Sequence, residues 1–126
     1  MPSAKPSEAE LEILQVLWQH QPCSIKVIHE QISQLRDVGY TTTQKQVQRM
    51  LDKGLITRTA GKGKNYNYSA AEPAAVTKGK LLDRMVKNVF GDSVSELMMH
   101  ALGKSKVSKA EIEDLKKLLN QLDKDQ

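Results

Sequence analysis

The sequence predicts a mainly α-helical chain with one small β-hairpin, and three observations in its 126 residues lead there. Apolar residues recur at helical spacing in three consecutive segments before Gly54, each bounded by turn or capping residues. Two short segments of alternating or β-branched character, 55–60 and 65–70, then flank Gly61-Lys62-Gly63-Lys64, the pattern of a hairpin whose glycines supply the turn. Three more amphipathic segments fill the C-terminal half.

In chain order, Ser7-Glu8-Ala9-Glu10 is a capping box: the serine hydroxyl can accept from the Glu10 amide while the glutamate reaches back. Leu11, Leu14, Leu17 and Trp18 follow at helical spacing, which predicts a helix over 8–20, stopped by Pro22. Ser24 is a second N-cap before Ile25, Ile28, Ile32 and Leu35. Gly39 breaks that pattern, and the hydroxyls of Thr41 and Thr42 suit the start of a third helix over 41–53, with Gly54 as its C-cap. Three short helices joined by tight turns make a helix-turn-helix, and a following hairpin makes it a winged helix. The expected division is a winged helix-turn-helix over 1–70 and a three-helix region over 71–126. Tyr66 and Tyr68 share one face of the second strand and are expected to pack on the first helix.

The third helix carries the functional reading. Val47, Met50 and Leu51 form one narrow apolar stripe, and placing it on a core by 100° steps turns Lys45, Gln48, Arg49 and Asp52 outward, with Gln44 beside them. Amides and cations on one exposed face suit base edges and phosphates. The charge agrees: the net +4 is concentrated over residues 41–70, where six lysines and arginines meet one aspartate, while residues 1–40 are net acidic. A wing tipped by Lys62 and Lys64, with Arg58 close by, lies where it can reach an adjacent phosphate or the minor groove.

Other classes have little support. A single cysteine, Cys23, cannot form an internal disulfide, and His20, His29 and His100 are scattered, so neither a metal site nor a cofactor is expected. No Gly-rich phosphate loop or nucleophile elbow speaks for an enzyme. The absence of a leader or a long apolar run suggests a cytoplasmic protein without membrane contact.

Three stretches in order, Glu8 to Trp18, Tyr40-Thr41-Thr42-Thr43 through Gly54-Leu55, and the Gly-Lys-Gly-Lys wing ending in Tyr68-Ser69, resemble the BlaI/MecI/CopY penicillinase-repressor family over nearly the whole chain. The resemblance implies a winged-helix repressor that dimerises through its C-terminal helices on a palindromic operator. It also implies a recognition helix at 41–53 with Thr42, Lys45 and Arg49 at contact positions. The chain departs from the family pattern in three places. Thr43 and Gln46 stand where aliphatic residues are usual, which leaves the rotation of the recognition helix open. His100-Ala101 stands where a sensor protease cuts the β-lactam-responsive members, which puts such a partner in doubt. The Cys-x-Cys motifs of the copper-responsive members are missing.

Beyond the junction expected over 70–77, Leu82, Met85, Val86 and Val89 form one apolar stripe, and Val94, Leu97, Met98, Ala101 and Leu102 a second. Gly91 separates the two and Gly103 is expected to end the latter. A capping box at Ser108-Lys109-Ala110-Glu111 opens a helix with Ile112, Leu115, Leu119 and Leu122 at near-heptad spacing. A piece this small rarely buries enough surface alone, so its stripes need either the winged helix or a second copy of the chain; with what the resemblance implies, a second copy is the expected partner. The combined reading is a homodimeric transcriptional repressor on a pseudo-palindromic duplex. Thr41, Thr42, Gln44, Lys45, Gln48 and Arg49 would lie in the groove, and Arg58, Lys62 and Lys64 on flanking phosphates. The alternative is a winged-helix module that docks a protein; an RNA-binding module is a weaker third, given 4% aromatic residues for stacking.

Overall fold

Ser7 opens the first helix, α1 (Glu8–His20), by accepting from the Glu10 amide at 3.2 Å while its own N–H donates to Glu10 Oε1 at 2.8 Å. These details come from a computed structural model that describes residues 5–126, so the first four residues of the expected N-terminal domain lie outside it. Ser24 opens α2 (Ile25–Leu35) by accepting from the Val27 amide at 3.3 Å.

The third helix, α3 (Tyr40–Lys53), begins differently from expectation. Gly39 is its N-cap, no side chain caps it, and Thr41 and Thr42 stand exposed inside the first turn. The helix starts one residue early, and a hydroxyl already inside it is past the position from which a side chain can reach back to the free amides. Gly54 closes the helix at φ 78°, a left-handed conformation that glycine adopts without penalty.

Strands β1 (Ile56–Ala60) and β2 (Tyr66–Ala70) pair antiparallel, with Arg58 opposite Tyr68 and Ala60 opposite Tyr66. Cys23, between α1 and α2, extends this ribbon: its N–H donates to the Tyr68 carbonyl at 3.1 Å and its carbonyl accepts from the Tyr68 amide at 2.8 Å. Ile13, Leu17, Ile28, Val47 and Met50 from the three helices are fully buried, and Ile56 and Tyr68 join them from the hairpin. Tyr66 does not. It shares the face of Tyr68 but sits nearer the hairpin tip, beyond the reach of the core, and stays 41% exposed, which corrects the expectation that both rings pack on the first helix.

The chain forms two compact units, 1–79 and 80–126, that divide inside α4 (Ala74–Val89), whereas the hairpin ends at Ala70. The junction is shorter than expected, because the Pro73 carbonyl already accepts from the Val76 amide at 3.0 Å and α4 starts at Ala74. In the second unit, Gly91 and Asp92 turn the chain at φ 56° and 67°. Ser93 caps α5 (Val94–Lys104), which runs through Gly103 rather than ending there: that glycine is not left-handed, and a glycine in a right-handed backbone weakens a helix by only about 1 kcal/mol. Ser108 opens α6 (Lys109–Lys124) with the expected capping box, and its amide, then its hydroxyl, hold the Glu111 carboxyl below the usual range. Among the described residues, no helix is long and apolar enough to cross a membrane.

Candidate nucleic-acid interface

Helix α3 is two-sided. Thr43, Val47 and Met50 are buried, and Thr41, Thr42, Gln44, Lys45, Gln48 and Arg49, all six helix positions singled out from sequence, are exposed. The Gln48 side-chain amide donates to Asp52 Oδ1 at 3.1 Å one turn on, which fixes its rotamer and leaves its carbonyl and second N–H for other partners. Lys53 serves another purpose. Its ammonium lies 2.7 Å from Glu10 Oε1, so one of the six local cations is neutralised.

The wing is built by its glycines. Gly61 N–H donates to the Asn65 carbonyl at 2.8 Å, Asn65 N–H to the Lys62 carbonyl at 3.1 Å, and Gly63 sits at φ 62°. A Cβ at Gly61 would stand 3.2 Å from the Asn65 carbonyl oxygen, a tight approach that the hairpin backbone would have to give way to by a few tenths of an ångström. Lys62 and Lys64 are thereby exposed at the tip. Behind them the Arg58 guanidinium lies over the Tyr66 ring, 4.0 Å from its centroid, so the exposed tyrosine has a cation–π partner.

Between α2, α3 and the wing runs an open groove of about 360 Å³ lined by Lys26, Tyr40, Gln44, Lys64 and Tyr66 among others. It brings together Gln44 and Lys64, which the sequence placed on separate elements; Lys45, Arg49, Arg58 and Lys62 lie outside its lining. Lys26 was missed. It carried a signal, however: it sits in the first turn of α2, which has no acidic residue, and a cation at the positive end of a helix dipole costs stability unless an anion joins it. Among the described residues, Lys26, Lys45, Arg49, Lys62 and Lys64 form no ion pair with a carboxylate, so their charge faces solvent. No group of three or more His, Cys, Asp or Glu among those residues could hold a metal ion.

A family model described as penicillinase repressor matches residues 6–121. The chain belongs to the penicillinase repressor family. Among its relatives, the methicillin resistance regulatory protein MecI of Mammaliicoccus sciuri is 28% identical over 114 residues, 90% of this chain and 92% of MecI. MecI of Staphylococcus aureus strain N315 is 27% identical over the same shares. A solved structure of Staphylococcus aureus MarR in complex with salicylate and kanamycin aligns with TM-score 0.46 and 19% identity, covering 87% of this chain and 66% of that one. As a penicillinase repressor family member, the chain is a DNA-binding transcriptional regulator with a winged helix.

Two residues that stood apart in the sequence take structural places in this family member. Cys23 is buried and burial pushes its thiol pKa up, so it is held as an apolar side chain in the core. His100 is exposed on α5 with its ring edge-on to Phe90, centroids 5.9 Å apart, and the His100-Ala101 bond lies within the helix.

Proposed function

We propose that the chain is a homodimeric repressor that binds a pseudo-palindromic duplex operator, each protomer laying α3 in the major groove. The observation that carries this reading is the two-sidedness of α3: one side is core, and the other presents Thr41, Thr42, Gln44, Lys45, Gln48 and Arg49 without a protein partner except Asp52 on Gln48. Gln44, Gln48, Lys45 and Arg49 reach base edges or nearby phosphates, and Thr41 and Thr42 approach the backbone at the helix start. Arg58, Lys62 and Lys64 hold flanking phosphates, and Lys26 joins Lys64 at the groove, where the amino end of α2 also favours an anion. Self-association is supported by apolar side chains that the protomer leaves exposed, among them Leu82, Met85, Val89, Ile112, Leu119 and Leu122. Leu97 and Leu115 are half-buried within the protomer. Two-fold symmetry then sets half-sites about one helical turn, or a multiple of it, apart.

Selection of bound duplexes from a random pool, followed by titration at several salt concentrations, tests the reading. Enrichment of a palindromic motif is expected. Lys26→Ala and Lys64→Ala should weaken all duplexes alike and each lower the salt slope by about 0.9, while Gln48→Ala and Arg49→Ala should change base preference. A pool that emerges unenriched at low salt overturns the proposal.

A further inference from the structure

Resting on the duplex-binding reading above, we infer that His29 is a positioning residue for sequence recognition: through a hydrogen bond to Thr43 it fixes the rotation of α3 and so aims the side chains that read bases. His29 stands on the second turn of α2, outside any proposed contact with DNA. Its Nδ1 lies 3.0 Å from Thr43 Oγ1, its Nε2 lies 3.2 Å from Ser33 Oγ one turn along α2, and its ring meets Tyr40 edge-on at 5.2 Å between centroids. A neutral imidazole offers one donor and one acceptor, and both hydroxyls can take either role, so the chain Ser33-His29-Thr43 is satisfied throughout.

Thr43 is 2% exposed and faces the same core as Val47 and Met50. An aliphatic side chain there would fill space but resist rotation only through shape. A hydrogen bond adds direction, since it weakens steeply away from linearity. Side chains reach roughly 5–6 Å from a helix axis, so a 20° turn of α3 would carry an outward tip by about 2 Å. The window for a good hydrogen bond to a base edge is only about 0.5 Å wide, so such a turn would break it. Phosphate contacts by flexible lysines tolerate the same displacement. The pin therefore acts on sequence preference and leaves general affinity for duplexes alone. The Tyr40 ring, in the first turn of the same helix, meets the same imidazole, so two side chains near the amino end of α3 contact His29.

The experiment compares wild type, Thr43→Val, Thr43→Ser and His29→Leu for affinity toward the duplex selected by the wild type and toward a shuffled duplex, with thermal unfolding recorded for each. Valine keeps the shape of threonine and puts a methyl group in place of the hydroxyl. Thr43→Val and His29→Leu are expected to lower the ratio of selected to shuffled affinity by about tenfold, the loss of one well-formed base contact, with shuffled affinity within about twofold of wild type. Thr43→Ser should restore the ratio. A folded Thr43→Val or His29→Leu that keeps the wild-type ratio overturns the inference while leaving the DNA reading intact. Equal loss on both duplexes assigns the pair a merely structural role and overturns it too. A wild type with no preference at all removes the DNA reading and this inference with it.

Discussion

Lys53 Nζ donates to Glu10 Oε1 across 2.7 Å, so the last turn of α3 is tied to the first turn of α1 by the same carboxylate oxygen that accepts from the Ser7 amide. Burial works against the charge of Glu10. It is outweighed by the Lys53 hydrogen bond and charge together with the Ser7 contacts, and the carboxyl is held below its ordinary range. A carboxylate whose folded pKa is depressed contributes its stability above the unfolded value and loses it as the pH falls through the folded one. Thermal unfolding should therefore show the midpoint declining from about pH 4.3 downward. Glu10→Gln should cost about 2 kcal/mol at neutral pH and flatten that acid limb. An acid limb of unchanged slope in the variant would remove Glu10 from the account.

The local devices were legible in the sequence because they are short-range. Both capping boxes, at Ser7 and Ser108, join residues three apart, and the outward set on α3 follows from helical period alone. Residues brought together from distant segments were not legible. Lys26 meets Lys64 only when the hairpin folds back beside α2, and Lys53 looks like part of a basic patch until Glu10, 43 residues away, is seen to neutralise it. Thr43 read as an anomaly on an inner face for the same reason, since its partner His29 lies on another helix. Strand alternation put Tyr66 and Tyr68 on one face but could not say where the core ends along it.

The Arg58–Tyr66 stack predicts that the ring assists the wing without touching DNA. Tyr66→Ala frees the guanidinium and should weaken every duplex by roughly two- to fivefold, the worth of an exposed cation–π contact. Tyr66→Phe keeps the ring and should bind as wild type does. A phenylalanine variant as weak as the alanine one would move the effect from the ring to the hydroxyl.

Cys23 is expected to be chemically silent. Its thiol is buried, its pKa is raised by that burial, and its backbone is engaged on both sides with Tyr68. Labelling by a maleimide should run at least about tenfold slower in the native protein than in denaturant, and mild peroxide should leave both mass and duplex affinity unchanged. Rapid native labelling would instead show the thiol to be accessible and reactive.

The exposed apolar face of the C-terminal helices gives the sharpest test of assembly. Val89 is 69% exposed and Leu119 59% exposed in the protomer, so neither substitution should unfold the unit that carries it, and any effect reports on what covers them. Burying one such side chain contributes about 1.5–3 kcal/mol, and a glutamate placed there must also be desolvated. Leu119→Glu and Val89→Glu should each weaken self-association by roughly a hundredfold or more while circular dichroism stays that of the wild type. Leu115→Glu is the contrasting case: this leucine is half-buried within its own protomer, so its replacement should lower the melting temperature as well. Sedimentation equilibrium at micromolar concentration separates these outcomes. A monomeric Leu119→Glu that also loses the second half-site of a palindrome places the C-terminal helices at the two-fold axis. An unchanged mass in both glutamate variants removes them from it.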